Sequence, residues 1–211
     1  MSNKVIEENN NTNDLNASAE IAQEKEIILK VQQGDRQAFN QLILKYHRQV
    51  FNIAFRIFGD YHQAEEIAQD VFVRGFKAIK QFKFNSRFFT WLYRITINLS
   101  RNKLKKNTKA NQRNLSLDQP YLNSDDVSFS REIPDLSPAP DRGILDKELN
   151  ELIQCALNSL EYDFREVIIL RDIQQLSYEQ IAQVLLINLG TVKSRLHRAR
   201  SLLADILEEV M

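Results

Sequence analysis

"LSYEQIAQVLLINLGTVKSRLHRAR", residues 176 to 200, decides how this chain is read. Ser177 with Gln180 three residues on makes a capping box, and Leu176 with Ile181 makes a hydrophobic staple, so a helix opens just after Ser177. A short turn follows. A second helix then places Val192, Leu196, Ala199 and Leu203 on one seam. Opposite that seam lie Ser194, His197, Arg198 and Ser201, flanked by Lys193, Arg195 and Arg200. A capped short helix, a tight turn and a helix with a basic outer face form the helix-turn-helix pattern. Arg198 suits bidentate contact with guanine, and Lys, Ser and His suit base edges or phosphates. Flanking cations suit phosphate, which positions without specifying. The early backbone N–H groups near Gly190 and Thr191 suit a phosphate as well.

Upstream, Leu149, Leu152, Ile153, Ala156 and Leu157 share a helix face, and "DFREVIILRDI", 163 to 173, predicts another helix with a buried Val167–Leu170 run. Residues 141–211 therefore read as a small helical domain. All four prolines, Pro120, Pro134, Pro138 and Pro140, fall within 108–140 among Asn, Ser and Asp, which reads as a flexible linker. Before it, 24–107 reads as a first helical domain. Asp60 and Gln63 form a capping pattern, and Ala64, Ile67, Ala68, Val71, Phe72, Gly75 and Ile79 follow on one face. Glu66, Gln69 and Asp70 lie on the other. Residues 82 to 89 break the period as a loop. Trp91, Leu92, Ile95 and Leu99 then form one apolar stripe and Tyr93, Ile97 and Leu104 a second, which demands partners on two sides or a ligand. Residues 1–23, rich in Asn and Glu, read as a disordered tail. The expected fold is all-α: two small helical domains joined by a flexible linker, the C-terminal one a helix-turn-helix.

The net charge of zero conceals an asymmetry. Val71 to Leu117 contains no Asp or Glu but holds Arg74, Lys77, Lys80, Lys83, Arg87, Arg94, Arg101, Lys103, Lys105, Lys106, Lys109 and Arg113. A second acid-free stretch, Gln180 to Ala204, holds Lys193, Arg195, Arg198 and Arg200. Two basic surfaces on a neutral protein point to a polyanion held at two places. The single Cys155 precludes an internal disulfide, and no Cys/His cluster has metal spacing, so no cofactor or metal is expected. The absence of a long apolar run or a signal-peptide core points to a cytoplasmic protein without membrane insertion.

"FGDYHQAEEIAQDVFVRGFKAI" (58–79), "FTWLYRITINLSRNKLKK" (89–106) and the stretch quoted first closely resemble the extracytoplasmic-function (ECF) sigma factors, the small two-domain branch of the bacterial RNA polymerase sigma factor family. The resemblance runs from about Glu24 to Leu207. It implies sigma region 2 in 24–107 and sigma region 4 in 141–211. It implies a protein that is not an enzyme but binds core RNA polymerase, selects a promoter and helps open it. Glu66, Gln69 and Asp70 match the face that docks on the beta-prime coiled coil. The second segment matches the part that melts and reads the minus-10 element, which implies roles for Arg87, Phe89, Trp91, Tyr93, Arg94, Asn98 and Arg101. Single-stranded DNA binding needs aromatic stacking beside cations, and the segment supplies both. Trp91 also lies on the Ile95/Leu99 seam, so core burial competes with stacking there. Thr191, Lys193, Ser194, Arg195, His197, Arg198 and Arg200 belong to the minus-35 recognition helix. Region 4 of this family also docks on the beta flap, and the Val167–Leu170 helix is a candidate contact that core burial equally explains. The family further implies a dedicated anti-sigma factor as partner.

Two departures stand out. The turn carries Leu186 and Asn188 where the family has Gly and then Pro or Ser. Asn188 is a good N-cap, whereas Leu186 is strained by about 1 kcal/mol if the turn needs positive φ. Phe89 replaces a small Ser. Other readings have less behind them. An autonomous helix-turn-helix regulator leaves Glu66, Gln69, Asp70 and "FTWLYRI" unexplained. An enzyme on nucleic acid lacks paired carboxylates and a phosphate loop, and His47, His62 and His197 are scattered. A helical adaptor does not need the basic windows.

Overall fold

The computed structural model describes residues 18–114 and 140–210, with side chains for 18–108 and 149–208. Its regular structure is entirely helical among these residues. A first helix, α1, covers 18–32, so helix already occupies the end of the segment expected to be tail. The rest of the expected tail lies outside the described residues. Next come α2 (Arg36–Phe58), α3 (Tyr61–Ala78), a 3-10 turn (Ile79–Gln81) and α4 (Phe88–Asn114). Helix α4 runs on into the expected linker, and the remainder of the linker up to 139 lies outside the described residues. The C-terminal group comprises α5 (Pro140–Ser159), α6 (Tyr162–Ile168) with a π-helical extension (Ile169–Ile173), α7 (Tyr178–Leu185) and α8 (Leu189–Val210).

Local chemistry sets these boundaries. Asp35 caps α2 by accepting from the backbone of Gln37 and Ala38, and Gly59 ends it in the left-handed conformation at φ 70. Asp60 caps α3 through the Gln63 N–H, 2.7 Å. The Gln63 side chain turns away and accepts from Asn107, so this cap is half of a box. The Ser177/Gln180 box is complete, and the staple partners Leu176 and Ile181 are buried. The loop before α4 is only partly as expected. It holds 82–87, but Phe88 and Phe89 already belong to the helix. Phe82 and Phe88 are buried and pack with Trp91, ring centroids 5.3 to 5.7 Å apart. Gln32 of α1 donates to the carbonyls of Ile79 and Phe82 at 2.8 and 2.9 Å, which fixes where that loop starts.

One apolar core runs through both groups, from Ile28 to Ala199. Helix α4 sits in its middle. Leu92 and Leu99 are buried on one side, and Tyr93 and Ile97 on the other. The second stripe is therefore met by protein: the Tyr162 hydroxyl donates to the Ile97 carbonyl at 3.0 Å, and the Tyr93 hydroxyl lies 3.4 Å from the Gln174 amide oxygen. Val167, Ile168, Ile169 and Leu170 are all buried. No helix among the described residues is long and apolar enough to cross a membrane.

Candidate nucleic-acid interface

The turn between α7 and α8 aims the basic helix. Leu186 ends α7 at φ 57, ψ 42, and its N–H returns to the Ala182 carbonyl. That left-handed geometry is the one in which Leu was expected to be strained. Asn188 caps α8, its Oδ1 accepting from the Thr191 N–H at 2.7 Å and the Thr191 hydroxyl at 2.9 Å. Val192, Leu196 and Ala199 are buried, and Leu203 packs against the same core. This seam leaves Lys193, Ser194, His197 and Arg198 exposed on one side of α8. Arg200 is also exposed and binds Asp172 bidentately. Thr191 is half-buried and bonded to the cap.

Arg195 behaves differently. It is half-buried and turned inward onto α6, where it bonds to Asp163 and lies 3.5 Å from Glu166. Arg101 of α4 reaches the same acids from the other side, donating to both Glu166 carboxylate oxygens at 2.8 and 2.7 Å, with Asp163 at 4.0 Å. Glu166 is fully buried. Burial pushes its carboxyl up to about 7 against the opposing pull of Arg101 and Arg195. The Arg101 guanidinium is itself held above its ordinary value, its ion pair with Glu166 outweighing burial. Neither Asp163 nor Glu166 stood out in the sequence. The available signal was a single acid embedded in the apolar run of "REVIIL".

The minus-10 candidates divide in the same way. Arg87 and Asn98 are exposed. Phe89 and Trp91 are half-buried, Phe89 beside Tyr93 and Trp91 within the Phe82/Phe88 cluster. Tyr93 is buried, and burial pushes its hydroxyl up to about 12. Arg94 donates to the Gln183 carbonyl of α7. The third set stays at the surface. Glu66, Gln69 and Asp70 project from α3, with Glu66 paired to Lys103 and Gln69 donating to Glu65.

Two family models match this chain: sigma-70 region 2 over residues 42–110 and sigma-70, region 4 over residues 150–203. The ECF RNA polymerase sigma factor SigW of Bacillus subtilis is 32% identical over 186 residues, covering 88% of this chain and 97% of that one. The chain belongs to the ECF sigma factors. The RNA polymerase sigma-H factor of Pseudomonas aeruginosa is 31% identical over 189 residues, 90% of this chain and 96% of its own. A solved sigma factor, RpoE of Bartonella quintana in complex with the anti-sigma factor NepR, superposes with a TM-score of 0.62. It shares 25% identity over 81% of this chain and 96% of that one. This ECF sigma factor is thus a transcription initiation factor that works with core RNA polymerase on promoter DNA.

Proposed function

We propose that the exposed face of α8 reads the minus-35 element in the major groove, with Arg198, Lys193, Ser194 and His197 at base edges and Thr191, Arg195 and Arg200 on phosphates. The capped, exposed basic face of α8 is the observation that carries this reading. Helix α4 and the loop before it handle the minus-10 element. Arg87, Asn98, Arg94 and Arg101 meet the backbone and bases, and Phe89, Trp91 and Tyr93 line the place where a base unstacks. Glu66, Gln69 and Asp70 dock on the beta-prime coiled coil, and the C-terminal group on the beta flap. The chain acts as two working units, 24–107 and 141–211, on either side of a tether. It catalyses no reaction of its own, works in the cytoplasm, and is held inactive by an anti-sigma factor, as the RpoE–NepR complex suggests by analogy.

Run-off transcription with purified core polymerase on a pooled library of promoter fragments tests the reading. Discrete starts that require this chain, sharing two upstream sequence elements, are expected. No starts alongside clean duplex binding by the chain alone would favour an autonomous regulator instead.

A further inference from the structure

Residues 82–89, "FKFNSRFF", carry four phenylalanines, and one of them behaves unlike the others. Phe82 and Phe88 are buried and Phe89 is half-buried, whereas Phe84 is exposed. Phe84 also holds φ 58, the left-handed region that glycine or asparagine enters far more readily than a bulky aromatic. Its ring meets Phe82 edge-on, centroids 5.0 Å apart, and the exposed Lys25 ammonium of α1 stands over it at 5.7 Å. A strained residue that keeps its apolar ring partly in water is explained neither by backbone preference nor by burial.

Helix α1 braces the loop that carries this ring. Gln32 holds the start of the loop through the Ile79 and Phe82 carbonyls. At the far end, the buried Glu24 accepts from the Tyr46 hydroxyl and from Lys45, and the Tyr46 ring packs on Phe88 with centroids 5.6 Å apart. Lys83 and Arg87 are exposed in the same loop. An exposed ring beside cations, on a loop already fixed in place, suits a nucleobase of single-stranded DNA.

We propose that Phe84 stacks on an unstacked base of the minus-10 strand and that Lys25, from α1, takes the phosphate beside it. The proposal rests on the assignment of α4 and its preceding loop to the minus-10 element given above, and extends that site to α1. Trp91 supports the platform from within, because it packs on Phe82, against which Phe84 rests. Stacking on an aromatic face tolerates any base, so Phe84 supplies grip on the open strand and the polar groups near it supply base choice.

Holoenzyme assembled from core polymerase and the full chain tests this on forked DNA whose minus-10 segment is single-stranded, taken from a promoter found by run-off transcription. Phe84→Ala should weaken binding about tenfold. Removing one base at a time from that segment should reveal a position where the abasic site costs the parent about tenfold. The same abasic site should cost Phe84→Ala little, since the ring that met the base is already gone. Phe84→Gly, which adopts the left-handed geometry freely, should lose affinity as Phe84→Ala does, and Phe84→Tyr should retain it. Lys25→Met should lower the slope of log affinity against log salt by about 0.7. Parental affinity in Phe84→Gly, or one abasic profile shared by parent and Phe84→Ala, would overturn the stacking role. An unchanged salt slope would overturn the role of Lys25. Arg87→Ala separates this from the broader assignment. A loss there with none at Phe84 overturns the proposal and leaves the minus-10 reading standing, whereas no loss at either removes both.

Discussion

Arg101 and Glu166, sixty-five positions apart in the chain, form a two-pronged ion pair across the junction of the N- and C-terminal helical groups. The arginine comes from a helix with no acid of its own, and the glutamate is fully buried on α6. Each supplies what the other's surroundings lack. Arg195 completes the set from α8. A buried pair of this kind is weak evidence for net stability, because desolvation offsets much of the attraction.

Proton linkage at Glu166 follows from its burial. Its carboxyl titrates near 7 in the folded chain, against an ordinary value of 4.5, with Tyr162 and Asp163 on its own helix and Arg101 and Arg195 facing it from α4 and α8. The folded state thus holds a proton that the unfolded state releases between those values. Stability from this group is complete below the unfolded value and is lost as pH rises through about 7, a fall of roughly 2–3 kcal/mol. Glu166→Gln is neutral at every pH and lacks this fall. Urea midpoints at about pH 5 and about pH 8 for both proteins check it; parallel behaviour would exclude a shifted Glu166.

Much of the architecture was legible because it is local. Ser177 with Gln180, Asn188 before Thr191, the Asp60 cap and the seam of Val192, Leu196 and Ala199 all act within a few residues, and each appears where the pattern put it; only the Gln63 half of the second box does not form. The pairing of Glu166 with Arg101 and Arg195 was not legible. Arg101 and Arg195 look like any cation in an acid-free window, and nothing within several turns announces that Glu166 lies between them. The double stripe on α4 did signal a second partner. Periodicity measures the width of an apolar face, not its occupant, and the occupant here is Tyr162 and its neighbours.

Arg198 is exposed on α8, away from the buried seam. Arg198→Ala should leave thermal stability within about 0.5 kcal/mol. It should weaken use of the cognate promoter by about 1–3 kcal/mol and relax preference at one upstream base pair. Competition among upstream variants measures this. An equal loss on every sequence would mean Arg198 touches phosphate alone.

Glu66 and Asp70 project from α3 opposite the buried Ile67, Ala68 and Val71. Glu66→Lys with Asp70→Lys breaks the surface pair to Lys103, worth at most about 1 kcal/mol, so the fold should persist. Core polymerase binding should fall at least tenfold in a fluorescence titration. Retained affinity would remove this face from the polymerase contact.

Leu186 offers a test of how tightly the turn controls the orientation of α8. It is 70% exposed, so its side chain gains little from burial, yet it holds φ 57. A left-handed Leu costs about 1–2 kcal/mol, and glycine adopts that geometry freely while giving back part of the gain as chain entropy. Leu186→Gly should therefore stabilise the chain by about 0.5–1 kcal/mol in urea denaturation. The opposite substitution of the neighbouring cap, Asn188→Ala, removes both bonds to Thr191 and should cost about 1 kcal/mol. If the turn only joins two helices, promoter preference stays the same in both variants. If it sets the angle of α8, Asn188→Ala shifts the preferred upstream sequence in the same competition assay, while Leu186→Gly, which keeps the backbone geometry, leaves it unchanged. A destabilised Leu186→Gly would show that the leucine makes a contact outweighing its strain.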